Sequence, residues 1–192
     1  MTTIAVARKS GVVAIAADSL TTFGDIRLPR HHKRAHDKLL HLHGSHIGLC
    51  GSSAHHLVLE SALAKLDDVK LGSRTEVYET FRRLHPVLKE HAFLNPKEDE
   101  EDPYESSQII ALIANETGAY GVFSLREVFD YDRFWAIGSG SRFALGAMHA
   151  AWDNFDSAED VAKAGVAAGI EFDTGSAGPI VCHSVKLARG VH

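Results

Sequence analysis

Apolar residues run from Ile4 to Ala7 and again from Val12 to Ala17, with the polar stretch Arg8-Lys9-Ser10-Gly11 between them. Ile4 and Val6 share a face at period two, and Ser10-Gly11 is a turn signal, so Met1 to Asp18 predicts a β-hairpin that starts at the N-terminus. Gly24-Asp25 predicts a turn, and residues 27–36 a basic, histidine-rich connection. Residues 37–43 and 47–50 predict two more strands, followed by a glycine-rich turn. Leu59, Leu63 and Leu66 recur at helical spacing, predicting a helix over about 54–71 with Ser52 or Ser53 as N-cap and Gly72 as its end. Ser73-Arg74-Thr75-Glu76 has the form of a capping box. The helix it opens presents Val77, Phe81, Leu84 and Leu88 on one face, with Pro86 as a kink or boundary. Residues 108–114 and 119–125 predict strands around the turn 115–118, then a polar-aromatic segment at 128–134 and a short strand at 135–137. Gly138-Ser139-Gly140-Ser141 leads into a helix with Phe143, Met148 and Trp152. Ser157 caps a last helix carrying Val161, Ala164 and Ala168, with Glu159 and Asp160 suited to its N-terminal dipole. A loop at 173–178 and a strand at 180–187 complete the chain. Strands in hairpins and helices in two sequential pairs predict an α+β fold with antiparallel sheets.

A chain of 192 residues fits one domain, 1–192, with a substantial core. Residues 95–107 are acidic, contain two prolines and are read as a solvated surface loop. The net charge of −5 and the lack of a basic stripe argue against nucleic acid. No apolar run reaches the roughly 20 residues of a membrane span, and no signal-peptide profile opens the chain. Two cysteines without metal spacing fit a reduced, cytoplasmic protein. Eight of the thirteen histidines lie between His31 and His56. They lack a His-Glu-x-x-His pattern and a cysteine pair, so they are read as surface positions rather than a metal site, and no cofactor is expected.

The N-terminus carries the candidate chemistry. Thr2 is small enough for an aminopeptidase to remove Met1, which leaves a hydroxyl and a free α-amine on one residue. That is a compact nucleophile–base pair. The amine, with an unperturbed pKa of about 7.7–8, is partly neutral near pH 7 and can take the hydroxyl proton, directly or through a water. From these residues alone, an ordinary polar chain start is the commoner reading.

Thr2-Thr3-Ile4 followed by Asp18-Ser19-Leu20-Thr21-Thr22-Phe23-Gly24 resembles the opening of proteasome β-type subunits and HslV-type peptidases, with the nucleophile-to-aspartate spacing kept without a gap. Asp37-Lys38-Leu39 resembles their Asp-Lys-Leu; a gapless count lands instead on Arg34, beside Lys33, so Lys38 requires a short insertion within 27–36. Gly138-Ser139-Gly140-Ser141 and Asp173-x-x-Ser176 resemble two further elements, although Ala177 and Pro179 depart from the usual Gly-Gly-Ser. The chain is thus similar to bacterial proteasome-like β subunits of the HslV-related, β-proteobacterial homologue type. The resemblance implies a four-layer αββα sandwich of two antiparallel sheets flanked by helix pairs, the N-terminal-nucleophile (Ntn) hydrolase fold. It implies Thr2 as nucleophile, Lys38 held by Asp18, and Ser139, Asp173 and Ser176 ordering the amine. Gly51 is implied as oxyanion donor, Thr22 as a peptide-clamping position and Leu49 as a pocket floor.

The activity implied is that of a threonine endopeptidase acting on polypeptides. The subunit is expected in a homo-oligomeric double ring of 12–14 copies, nearer 14, with Thr2 inside. Without a Walker-type motif, a separate ATPase is implied for folded substrates. An Ntn amidohydrolase of small amides and a catalytically weak ring subunit remain open. Apolar positions Phe81, Leu84, Phe143 and Trp152 are expected partly at subunit interfaces.

Overall fold

The N-terminal hairpin is the centre of one sheet. In a computed structural model that describes residues 1–34, 38–51, 53–95 and 102–188, β1 (Ile4–Lys9) and β2 (Val12–Ala17) pair antiparallel, Ile4 opposite Ala17 and Lys9 opposite Val12. Ser10 and Gly11 both have positive φ, 53° and 73°, as a tight two-residue hairpin turn requires. The outer edges of the hairpin are covered by a strand at Phe134–Ile137, which pairs with β1, and one at Val181–Lys186, which pairs with β2. Flanked on both edges and both faces, the first strand does not fray: Ile4, Ala5, Val6 and Ala7 are wholly buried.

After the hairpin, β3 (Thr21–Phe23) and β4 (Ile26–Leu28) form a small two-stranded ribbon around the predicted Gly24-Asp25 turn. Three residues per strand are too few to show a period, which is why the segment reads as a connection in the sequence. The second large sheet has β5 (Leu39–Leu42), β6 (Ser45–Cys50), β7 (Ile110–Asn115), β8 (Gly118–Val122) and β9 (Val128–Asp130) in that order, every pair antiparallel. The strand at 128–130 lies where a polar-aromatic segment was expected; its Phe129 and Asp130 are exposed at the sheet edge, so no apolar alternation marks it. The strands at 134–137 and 181–186 of the first sheet are β10 and β11.

Among the described residues, four helices cover the sheets: α1 (Ser53–Lys65), α2 (Arg74–Pro86), α3 (Ser141–Ala151) and α4 (Ala158–Phe172). The side chains divide into three apolar layers. Ile47, Leu49, Ile113 and Tyr120 of the larger sheet pack on Leu59 and Leu63 of α1 and on Val77, Phe81 and Leu84 of α2. Ala5, Ala7, Ala14 and Ala16 pack on Ala144 and Met148 of α3 and on Val161 and Val166 of α4. Between the sheets lie Ile4, Val6, Val13 and Ile15, against Leu112 and Ala114. Helix, sheet, sheet, helix is the order these layers impose. Each face of β1 and β2 thus has its own partner, small residues toward the helices and large ones toward the second sheet.

Several local expectations change. The first helix stops at Lys65, well short of 71, and the Ser52/Ser53 cap lies outside the residues whose side chains are described. Ser73 does cap α2, accepting from Glu76 N at 3.2 Å, but the Glu76 carboxylate reaches back to Gly72 N at 3.0 Å, one residue earlier than a standard box. Pro86 ends α2, and a π-helical turn, Val87–His91, follows. Phe81 and Leu84 are core residues, at 4% and 0% exposure, and not interface positions; Phe143, at 42%, is exposed. Part of the acidic segment, 96–101, lies outside the described residues. Its far end is packed rather than solvated: Glu105 meets Lys89 at 2.6 Å and His85 at 3.1 Å, and Ser106 is buried. The histidines are not all on the surface: His56 is buried, and His46 is half-buried. Among the described residues no helix is long and apolar enough to cross a membrane, and no cluster of His, Cys, Asp or Glu could hold a metal ion.

Candidate active site

The end of β2 delivers Asp18 beside the start of β1. The register that sets Ile4 opposite Ala17 leaves Thr3 opposite Asp18, and Asp18 N donates to Thr3 O at 3.1 Å. The Asp18 carboxylate is buried and collects four donors. Thr3 N (2.9 Å) and Lys38 Nζ (2.6 Å) reach Oδ1; Leu20 N (3.0 Å) and Ala177 N (3.2 Å) reach Oδ2. Two carboxylate oxygens with two donors each leave little polar capacity unanswered.

Lys38 stands immediately before β5 and is 6% exposed. Burial pushes its pKa below the ordinary lysine value, while the charge and hydrogen bond of Asp18, and more weakly the charge of Asp173, oppose the shift. Its Nζ also donates to Met1 O at 3.2 Å, the same oxygen that accepts from Thr2 Oγ1 at 2.6 Å. Lys38 and the Thr2 hydroxyl therefore converge on one carbonyl oxygen. The alternatives from the gapless count go elsewhere: Lys33 Nζ donates to Thr21 Oγ1 at 2.7 Å, and Arg34 is exposed. Asp37, its neighbour in the Asp-Lys-Leu motif, lies outside the described residues.

On the other side of Thr2 runs a second chain of hydrogen bonds. Thr2 N donates to Ser139 Oγ at 3.1 Å. Ser139 and Ser176 both donate to Asp173 Oδ2, at 2.8 and 2.7 Å. With both hydroxyl protons committed to the carboxylate, Ser139 can only accept from the Thr2 nitrogen, and Ser176 can only accept from Thr3 Oγ1, 2.7 Å away. The glycines of 138–141 permit this approach. A Cβ on Gly138 would fall 2.1 Å from Thr2 O, and one on Gly140 would fall 2.0 Å from Thr3 Oγ1. The Gly-Ser-Gly spacing thus places one hydroxyl beside the nitrogen and removes two side chains that would push β1 away.

The 173–179 loop is held by backbone groups, so its departures in sequence cost little. Ala177 uses its N–H on Asp18 and its carbonyl on Ser19 N, at 2.9 Å; Pro179 O accepts from Ser19 Oγ at 2.5 Å. Cys50, at the end of β6, has its thiol pushed above the usual value by burial, so at neutral pH it offers no thiolate.

The remaining candidates stand apart from this network. Gly51 follows β6, exposed, with φ 118°, ahead of α1. Thr22 is half-buried in β3, opposite Arg27. Leu49 is 2% exposed, in the core that the larger sheet shares with α1 and α2. The hydrogen bonds of the described residues do not join these three to Thr2. Thr3 and Ser19 also bond into this network, beyond the residues the sequence singles out. The signal for Thr3 was available: a polar residue in step with the buried positions of β1.

No family model and no curated protein sequence matches the chain. Among solved structures, it is similar to BPH of Thiobacillus denitrificans, with 37% identity, 98% of this chain and all of that chain covered, and a TM-score of 0.92. The same protein in complex with epoxomicin matches at 36% identity over 97% of this chain and 100% of that one, with a TM-score of 0.90. Eukaryotic HslV from Trypanosoma brucei shares the fold at 19% identity, 96% and 99% coverage and a TM-score of 0.74.

Proposed function

The chain belongs to the BPH family of proteasome-like threonine peptidase subunits, and on that footing we propose that Thr2, freed of Met1, is its peptide-cutting nucleophile. The observation that carries this reading is that Lys38, held by Asp18, donates to the Met1 carbonyl that also accepts from the Thr2 hydroxyl, while Ser139, held by Asp173, accepts from the Thr2 nitrogen.

Once Met1 is gone, the oxygen that now accepts from Thr2 Oγ1 and Lys38 Nζ is gone with it, and Lys38 is left facing the hydroxyl. The Thr2 α-amine takes the hydroxyl proton as Oγ1 attacks the substrate carbonyl. Lys38, positively charged beside Asp18, disfavours protonation of the amine and favours negative charge on Oγ1. Ser139, Asp173 and Ser176 fix the direction of the amine. The tetrahedral oxyanion is answered by the Gly51 N–H. The C–N bond breaks as the amine returns its proton to the leaving nitrogen, and water then cleaves the Thr2 ester. Thr22 aligns an extended peptide by strand addition, and Leu49 floors the pocket ahead of the cut. The whole chain acts as one cytoplasmic Ntn domain on polypeptides. It works within a double ring of 12–14 copies, nearer 14, supplied by a separate ATPase. Epoxomicin, bound by the T. denitrificans relative, is expected to bind the Met1-free chain.

The test combines intact mass, particle symmetry and peptide hydrolysis. Protein lacking Met1 should form a double ring and cleave unfolded polypeptides, and Thr2→Ala should abolish cleavage without dissolving the ring. Full activity in material that retains Met1 would overturn the assignment.

A further inference from the structure

Gly175 lies between Asp173 and Ser176 and is buried, and the atoms over it belong to Met1. A Cβ placed on Gly175 would stand 2.0 Å from Met1 Cβ and 2.7 Å from both Met1 Cγ and Sδ, its three nearest neighbours. Its φ lies outside the left-handed region, so the backbone there would accept any residue. The space above it is what glycine provides.

Proton transfer says what enters that space when Met1 leaves. As the Thr2 Oγ1–acyl bond forms and the peptide C–N bond breaks, the departing nitrogen takes the proton held by the Thr2 amine and becomes a new peptide N-terminus. Transfer needs that nitrogen within about 2.6–3.2 Å of Thr2 N, or one water away. Met1 is bonded to that same Thr2 N. The first residue of the departing fragment is therefore brought to the volume Met1 vacates, beside the Asp173–Ser176 loop. Met1 is 55% exposed where it sits, so the volume is an open groove rather than a closed pocket.

We propose that Gly175 is the floor of the subsite for the residue immediately after the cut, and that its missing side chain lets the peptidase accept an unbranched apolar residue of methionine size there. The proposal deepens the reading of Thr2 as a peptidase nucleophile and rests on it.

The test uses the assembled, Met1-free protein. Peptides identical except for Met or Gly directly after the cut are compared in wild type and Gly175→Ala. The ratio of kcat/KM for the Met peptide over the Gly peptide should fall at least tenfold in the variant, while preference for the residue before the cut keeps its order. In a second arm, Met-Ala-Ala-amide and Gly-Ala-Ala-amide are titrated calorimetrically into Thr2→Ala and into Thr2→Ala with Gly175→Ala. The methionine peptide should bind more tightly to the first and lose that advantage in the second. Ratios within twofold of each other in either arm overturn the subsite. Absence of cleavage by the wild type counts against the peptidase reading alone, and the binding arm then decides the subsite by itself.

Discussion

Asp18 and His46 are both ionisable groups drawn into the sheets, and their surroundings differ in kind. Asp18 follows directly on β2 with four donors on its two oxygens, one of them the Lys38 ammonium. His46 lies in β6 between two other imidazoles: His41 of β5, ring centres 4.6 Å apart, and His183 of β11 on the other sheet, 4.5 Å away and almost parallel. Its Nδ1 is buried with no hydrogen-bond partner among the described residues. Burial, then the like charges of His183 and His41, pulls its pKa down to about 4. One cluster answers charge with charge and amides. The other tolerates a ring between the sheets only while it is neutral. Polar burial anchors a site when each valence is met, and otherwise it makes a pH-sensitive joint.

Removing one partner of the satisfied cluster should have the largest effect. Asp18→Ala leaves the Lys38 ammonium buried without its counter-charge, at a cost of about 3–5 kcal/mol, and should abolish cleavage. Urea unfolding and peptide hydrolysis check both. The reverse change should be milder for stability. In Lys38→Met the Asp18 carboxylate keeps three backbone donors, so a loss of about 1–3 kcal/mol is expected. Cleavage should nonetheless drop about 100-fold or more. Lys33→Ala, which removes an ammonium bonded to Thr21 Oγ1 rather than to Asp18, should stay within about threefold of wild type, inside the spread usual for changes away from a site. Equal losses in the Lys33 and Lys38 variants would break the contrast between the two lysines.

The smallest effect belongs to His46. An unfolded imidazole titrates near pH 6.5 and the folded one near 4, so between these values the unfolded state holds more protons. Stability contributed by the neutral ring is therefore complete above about pH 6.5 and is lost as the pH falls toward 4. Solvent reaches part of the ring, which reduces the expected loss to about 1 kcal/mol. His46→Phe keeps a ring between His41 and His183 and should flatten the dependence of the urea midpoint on pH across that window. An unchanged slope would show that the acid sensitivity resides elsewhere.

How much of this was legible depended on chain separation. The first hairpin, the α2 cap at Ser73 and the α4 cap at Ser157 are local, and residue order alone determined them, because turns and caps are built from neighbours within four residues. The short motifs at Asp18, Lys38, Gly138–Ser141 and Asp173–Ser176 were readable only through their resemblance to proteasome-type subunits, as four elements in the same order along the chain. Elements of three residues, β3, β4 and β9, were not readable, because no period develops over that length. The end of α1 at Lys65 likewise had no breaker to announce it. The choice of Lys38 over Arg34 came from the Asp-Lys-Leu resemblance, but its 2.6 Å bond to Asp18, across twenty residues of chain, is the work of the tertiary structure. Only it turned Phe81 and Leu84 inward, gave Thr3 its bond to Ser176, stacked His46 on His183, and laid Met1 over Gly175. Each of these contacts joins segments that share no local signal, and each exists because two sheets close on one another and bring distant strand ends to one place.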